Sequence, residues 1–148
     1  MSSLIDSFEF PVRRSRYVCR EMSEEDVNIA LLWFKSYYDG KDFPKDFLPE
    51  TGVCVSVDGT LVCVIPIYFE HSSNVAILGH CMINHEFNKK QTCFAIKKCI
   101  EYAVEYASGR GKKYLVSIFG RNSINKIADN CGFITADTIE EKFFFCGR

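Results

Sequence analysis

The sequence predicts an α/β protein built on one mixed sheet, in the order β-α-β-β-β-α-β-α-β. Three observations carry that expectation. Asp58-Gly59 separates two apolar, β-branched runs and is the strongest two-residue hairpin signal in the chain. From about Asn88 to Ser108 the apolar residues recur at helical spacing over a long stretch. Asn122 to Phe133 then reads as a short amphipathic helix that stops on Gly-Phe directly after an apolar strand.

Taken in order, residues 1–15 read as an arm carrying Pro11 and a basic cluster of Arg13 and Arg14, continued by Arg16, and residues 16–148 as a single domain. Arg16 to Met22 is the first strand. Ser23 caps the first helix, since its hydroxyl can accept the Asp26 N–H, while Glu24, Glu25 and Asp26 place negative charge at the positive helix end. Val27, Ala30, Leu31, Phe34 and Tyr38 form its apolar stripe. Gly40 to Glu50, with Pro44 and Pro49, is a loop or short irregular helix. Val53 to Val57 and Thr60 to Phe69 are the second and third strands, and Pro66, which has no N–H, predicts a bulge or local unpairing. Val75 to Asn84 is the fourth strand. In the long helix Ile96, Cys99, Ile100, Ala103 and Ala107 face the core and Lys97, Lys98, Glu101 and Glu105 face water; Ser108 to Gly111 ends it. Tyr114 to Phe119 has the content of a buried strand. Ile124, Ile127, Ala128 and Cys131 face inward from the last helix, Gly132 closes it, and Thr138 to Cys146 is the terminal strand.

The 148 residues suit one core. A formal charge of -1 gives no compositional case for nucleic acid or an acidic membrane surface. The longest apolar run, Leu61 to Phe69, is far shorter than the roughly 20 residues of a membrane span. The N-terminus lacks the basic and apolar regions of a signal peptide, which predicts a cytoplasmic protein. Cys19, Cys54, Cys63, Cys81, Cys93, Cys99, Cys131 and Cys146 form no Cys-x-x-Cys pair and lie in or at the ends of predicted elements. They read as free, mostly buried thiols rather than a disulfide framework or a metal site.

The Asn122–Phe133 junction resembles the last helix-to-strand junction of the GNAT superfamily of acyl-CoA N-acyltransferases, and the element order is also the GNAT order. Phe47-Leu-Pro-Glu-Thr-Gly-Val53, Val57-Asp-Gly59, Tyr68-Phe69, Ser72-Ser-Asn-Val-Ala76 and Lys113-Tyr-Leu115 are further similar to GNAT-like proteins common in bacteriophage genomes, which would place the chain in a host cytoplasm. The resemblance implies acetyl-CoA as cofactor and an amine, on a small molecule or a protein, as acceptor; a homodimer is an open alternative. In GNAT enzymes the turn before the long helix binds the CoA pyrophosphate through Arg/Gln-x-x-Gly-x-Gly/Ala. The aligned stretch is Asn88-Lys89-Lys90-Gln91-Thr92-Cys93: Asn88 takes the Arg/Gln position, and Gln91 and Cys93 take the small-residue positions. Met82, Ile83 and Asn84 complete the implied cofactor strand, and Asn122 matches the asparagine that opens the last helix in many members, where an N-cap role explains it equally.

Many members protonate the leaving thiolate with a tyrosine whose aligned position here is Ala128, which cannot do so. His80 is the best candidate base, ahead of Asn84, His85, Glu86, Glu70 and His71; an ordinary packed histidine is the alternative. Cys81 and Cys93 have no base partner legible in the sequence. Two functional classes follow: an acyltransferase in which Lys89, Lys90 and Thr92 hold phosphate, or a GNAT-fold interaction or structural module whose lysines are simply a solvated helix start.

Overall fold

In a computed structural model, described over residues 15–37, 43–117, 119, 122–135 and 146, the elements follow the predicted order. The predicted arm up to residue 14, Tyr38 of the first helix's stripe, and the terminal strand from Thr138 to residue 145 lie outside the described residues. β1 (Tyr17–Glu21) leads into α1 (Glu24–Tyr37), and a 3-10 turn at Lys45–Phe47 precedes β2 (Gly52–Val57) and β3 (Thr60–Phe69). β4 (Val75–Leu78), β5 (Met82–Ile83), α2 (Lys89–Gly109), β6 (Tyr114–Ser117) and α3 (Asn122–Asn130) follow. The sheet order is β1-β2-β3-β4-β6, with β5 also on β3.

The hairpin forms as its residues dictate. Asp58 and Gly59 both take positive φ, 50° and 86°, which a two-residue turn matching the strand twist requires. β2 and β3 pair antiparallel from Val57↔Thr60 to Gly52↔Pro66, with a register shift at Val55/Ser56. Both helix ends predicted from glycine are also present. Gly111 (φ 84°) and Gly132 (φ 98°) close α2 and α3 with paired bonds, Lys112 N–H to Ala107 and Phe133 N–H to Ala128 among them.

The predicted fourth strand is interrupted. β4 pairs with β3 through Ile67↔Leu78 and β5 through Val64↔Met82, and Gly79, His80 and Cys81 between them are unladdered and one residue too many for a continuous register. Pro66 faces this break: its carbonyl accepts the Gly79 N–H at 2.8 Å, and the proline has no N–H to return. The local unpairing expected at Pro66 is therefore located on its β4–β5 side.

β4 and β6 run parallel, from Val75↔Tyr114 to Leu78↔Ser117, with α2 as the crossover. The ladder to β6 ends at Leu78, and past the break the chain continues along β3 as β5. β6 departs from the expectation of a buried strand: Tyr114 is 63% and Val116 45% exposed, because only the face carrying Leu115 meets the core.

The sheet separates two apolar cores. On one face α2 contacts β1, β2, β3 and α3, burying Val53, Val55, Cys63, Ile65, Cys99 and Ile100. On the other α1 contacts β3 and β5, burying Met22, Val27, Ala30, Cys54, Val64 and Met82. Asp26 of α1 is buried as well, and its neighbours explain how. It accepts both Arg20 guanidinium nitrogens (2.6 and 2.9 Å), the Ser23 N–H (2.8 Å) and the Ser23 hydroxyl (2.9 Å). Ser23 in turn accepts the Asp26 N–H at 3.3 Å, the predicted cap, now reciprocal. The Arg20 hydrogen bond, with help from Ser23, holds the Asp26 carboxyl down at about 2. Burial, together with this carboxylate, pushes the neighbouring Cys54 thiol up to about 12, so it stays protonated and donates to Asp26.

Candidate functional site

The break places consecutive side chains on opposite faces of the sheet. His80 lies on the α1 face, half-buried, edge-on to Phe43 (ring centroids 5.3 Å) and Phe34 (6.3 Å). Phe43 continues to Phe47 at 5.4 Å and Phe47 to Tyr68 at 6.2 Å, so the candidate base sits in a row of rings. Sequence reasoning missed this row; three of its phenylalanines come from α1 and the segment after it, which no local pattern connects to the fourth strand. Cys81 lies on the α2 face, its sulfur 3.5 Å from that of Cys63.

The implied cofactor strand separates into three roles. Met82 is buried in the α1-side core and Ile83 in the α2-side core, so both hold β5 in place. Asn84 is buried and its amide is used: Nδ2 donates to Leu61 O (3.1 Å) and Oδ1 accepts the Glu86 N–H (3.0 Å). His85 and Glu86 form the exposed turn that follows.

At the helix start the altered motif is a capping box. Asn88 Oδ1 accepts the Gln91 N–H at 2.8 Å, and Gln91 Oε1 accepts the Asn88 N–H at 3.4 Å. Thr92 Oγ1 donates to Asn88 O at 2.9 Å. Of the two aligned small-residue positions, Gln91 is thus used, with Asn88, to close the helix end. The Lys89 and Lys90 N–H groups belong to the first turn, where a helix supplies no acceptor, and both side chains are exposed. Gln91, Thr92 and Cys93 are half-buried.

Glu70 and His71 sit at the opposite end of β4 from the break, in the turn before Val75, roughly 13 Å of strand away, and so are not brought to His80. There they adjoin a second feature not foreseen from sequence, an open depression of about 520 Å³ lined by Pro49, Thr51, Tyr68, Phe69, His71, Arg110 and Lys112. Its cations are engaged: Lys112 donates to Glu70 O and to Ser73 O, and Arg110 pairs with Glu21 (3.0 Å) over the Tyr106 ring. Ala128 is buried in the α2-side core, and Asn122 is the first residue of α3. Among the described residues no group of histidine, cysteine and carboxylate side chains could hold a metal ion, and no helix is long and apolar enough to cross a membrane.

No family model and no curated protein matches the sequence. Solved structures do. A ribosomal-protein-alanine N-acetyltransferase from Brucella melitensis biovar Abortus 2308 matches at TM-score 0.65 and 19% identity, covering 88% of this chain and 99% of that one. The aminoglycoside N-acetyltransferase AAC(6')-Iy in complex with CoA matches at TM-score 0.60 and 16% identity, over 90% and 98% of the two chains. A transcriptional regulator from Bacillus halodurans C-125 matches at TM-score 0.66 and 12% identity, over 87% and 100%. With the parallel β4–β6 pair, the interrupted strand and the helix that follows it, these likenesses establish that the chain has the fold of the GNAT acetyltransferases.

Proposed function

We propose that the protein is an acyl-CoA-dependent N-acyltransferase whose pyrophosphate loop has changed chemistry, acting as one domain over residues 16–148. The observation that carries this reading is the break at Gly79–Cys81, just past the last β4–β6 pair, on the chain that runs through β5 and a short turn into α2. When bound, acetyl-CoA supplies an activated thioester carbonyl. Lys89 and Lys90, with the N–H groups of their own turn, would hold the pyrophosphate by charge, replacing glycine-mediated backbone contact. Met82, Ile83 and Asn84 fix the strand that borders the break, Thr92 and Cys93 shape the helix start, and Asn122 opens the helix on the far side. His80, directed to the α1 face, would accept the proton of an incoming amine, directly or through water. The phage-type resemblance of the sequence supports a host cytoplasm as the setting of this activity.

One observation favours the other class. The Asn88–Gln91 capping box satisfies N–H groups that a phosphate would need, and Gln91 and Cys93 present side chains where GNAT enzymes have little or none. A GNAT-fold interaction or structural protein is the alternative reading. Calorimetry with acetyl-CoA separates the two. The enzyme reading expects weak, salt-dependent binding that the double change Lys89→Ala, Lys90→Ala weakens by roughly 1 to 3 kcal/mol without altering the fold. No heat and no thermal shift at millimolar acetyl-CoA would transfer the protein to the second class.

A further inference from the structure

We propose that Cys81 is an oxidation-sensitive thiol that forms a reversible disulfide with Cys63 across the strand break. The inference does not depend on the acyltransferase reading. All eight cysteines are thiols; the Cys63 sulfur has two thiol neighbours, Cys99 in the sealed core and Cys81, whose sulfur lies 3.5 Å away at the strand break. A bridge requires closing that gap by roughly 1.5 Å. The fold supplies the freedom: Cys63 is anchored in β3 opposite Ile83, whereas Cys81 is the last residue of the unladdered segment. It is also half-buried and within reach of small oxidants, while Cys63 is sealed in the core.

The two sulfurs therefore take different parts. Contact with Cys81 draws the Cys63 thiol down, but its hydrogen bond with Cys99 and its burial outweigh this and leave it well above the ordinary range, so Cys63 does not react first. A peroxide takes two electrons from the Cys81 sulfur; its O–O bond breaks, the S–O bond of a sulfenic acid forms, and one water leaves. The Cys63 sulfur then attacks the Cys81 sulfur, the S–O bond breaks as the S–S bond forms, and hydroxide leaves with the Cys63 proton as a second water. Cys99, the other thiol bonded to Cys63, is sealed in the core away from oxidant, while Cys54 donates to Asp26, Cys19 to Lys98 O and Cys131 to Lys97 O. The product would tie the break covalently to β3, beside the Gly79–Pro66 hydrogen bond and next to His80.

The test treats reduced, folded, full-length protein with a few equivalents of hydrogen peroxide, blocks remaining thiols with N-ethylmaleimide, and maps the peptides by mass spectrometry. The expected product is an intramolecular Cys63–Cys81 bridge, two hydrogens lighter and restored by dithiothreitol. Cys93→Ser should bridge as the parent does, Cys81→Ser should not bridge, and Cys63→Ser should leave a sulfenic acid on Cys81 that dimedone captures. The proposal falls if folded protein keeps Cys81 as a thiol while denatured protein oxidises it, or if Cys63 pairs with Cys99. Mapping of the parent protein alone decides this should either serine variant fail to fold.

Discussion

Asp26→Asn should lower the unfolding free energy by roughly 2 to 4 kcal/mol at neutral pH, because one substitution disrupts a paired carboxylate and the start of α1 together. The carboxylate accepts from Arg20 twice, from the Ser23 backbone and hydroxyl, and from Cys54, all at a buried position. An asparagine at the site turns an N–H toward donors that need an acceptor. Arg20 is itself half-exposed, so water recovers part of its loss, which keeps the figure below that of a fully buried pair. The pH dependence carries a separate signature. The folded carboxyl sits at about 2, below its ordinary 3.8, so its contribution is complete above pH 4 and disappears as the pH falls from about 4 through 2. Urea unfolding followed by circular dichroism at pH 7, 4 and 2.5 measures both. A variant within about 0.5 kcal/mol of the parent at pH 7 would show that the network is an ornament of α1 rather than its anchor.

Gly52→Ala should cost roughly 2 to 3 kcal/mol, lowering the melting temperature by about 5 to 10 °C in a chain of this length. A Cβ on Gly52 would stand 2.6 Å from Ile65 O and from Met22 Sδ, and 2.8 Å from Pro66 Cα. Met22 can turn away; the two β3 backbone atoms cannot, since Gly52 pairs directly with Pro66 and its carbonyl accepts the Met22 N–H. Gly109→Ala is the matched control. A Cβ there meets nothing within 4 Å at the last turn of α2, so it should leave stability unchanged or raise it slightly. Thermal melts of the two variants side by side test the steric argument, which fails if Gly52→Ala melts with the control.

Much of this architecture could be read before any coordinates, because it is encoded locally. Asp58-Gly59 demands positive φ and a hairpin, and Gly132-Phe133 demands a left-handed helix end. Along α2, spacing alone identified the buried Ile96, Cys99, Ile100, Ala103 and Ala107. What escaped is set by partners distant in sequence. Val75 to Asn84 reads as one strand, and only the pairing partner, with Pro66 opposite Gly79, interrupts it. Tyr114 and Val116 have interior composition but stand exposed, since composition cannot say which face a strand will have covered. At the candidate site, the position of Lys89 and Lys90 was legible, whereas the reciprocal Asn88–Gln91 bonding and the rings around His80 emerged only in three dimensions. Ser23-x-x-Asp26 did carry a signal for the buried Asp26, being a capping-box pattern.

The connection between β4 and β6 has a temporal consequence. β2 and β3 are joined by two residues and can meet on the order of microseconds, with no other element in place. Val75 cannot find Tyr114 until the whole of α2 has been laid between them, so closure of this long loop comes at a higher entropic cost. The sheet is thus assembled unevenly, its antiparallel half early and its parallel half late. The break itself belongs to the early half, since β4 and β5 both pair antiparallel with β3, and β6 is added beside β4 only afterwards.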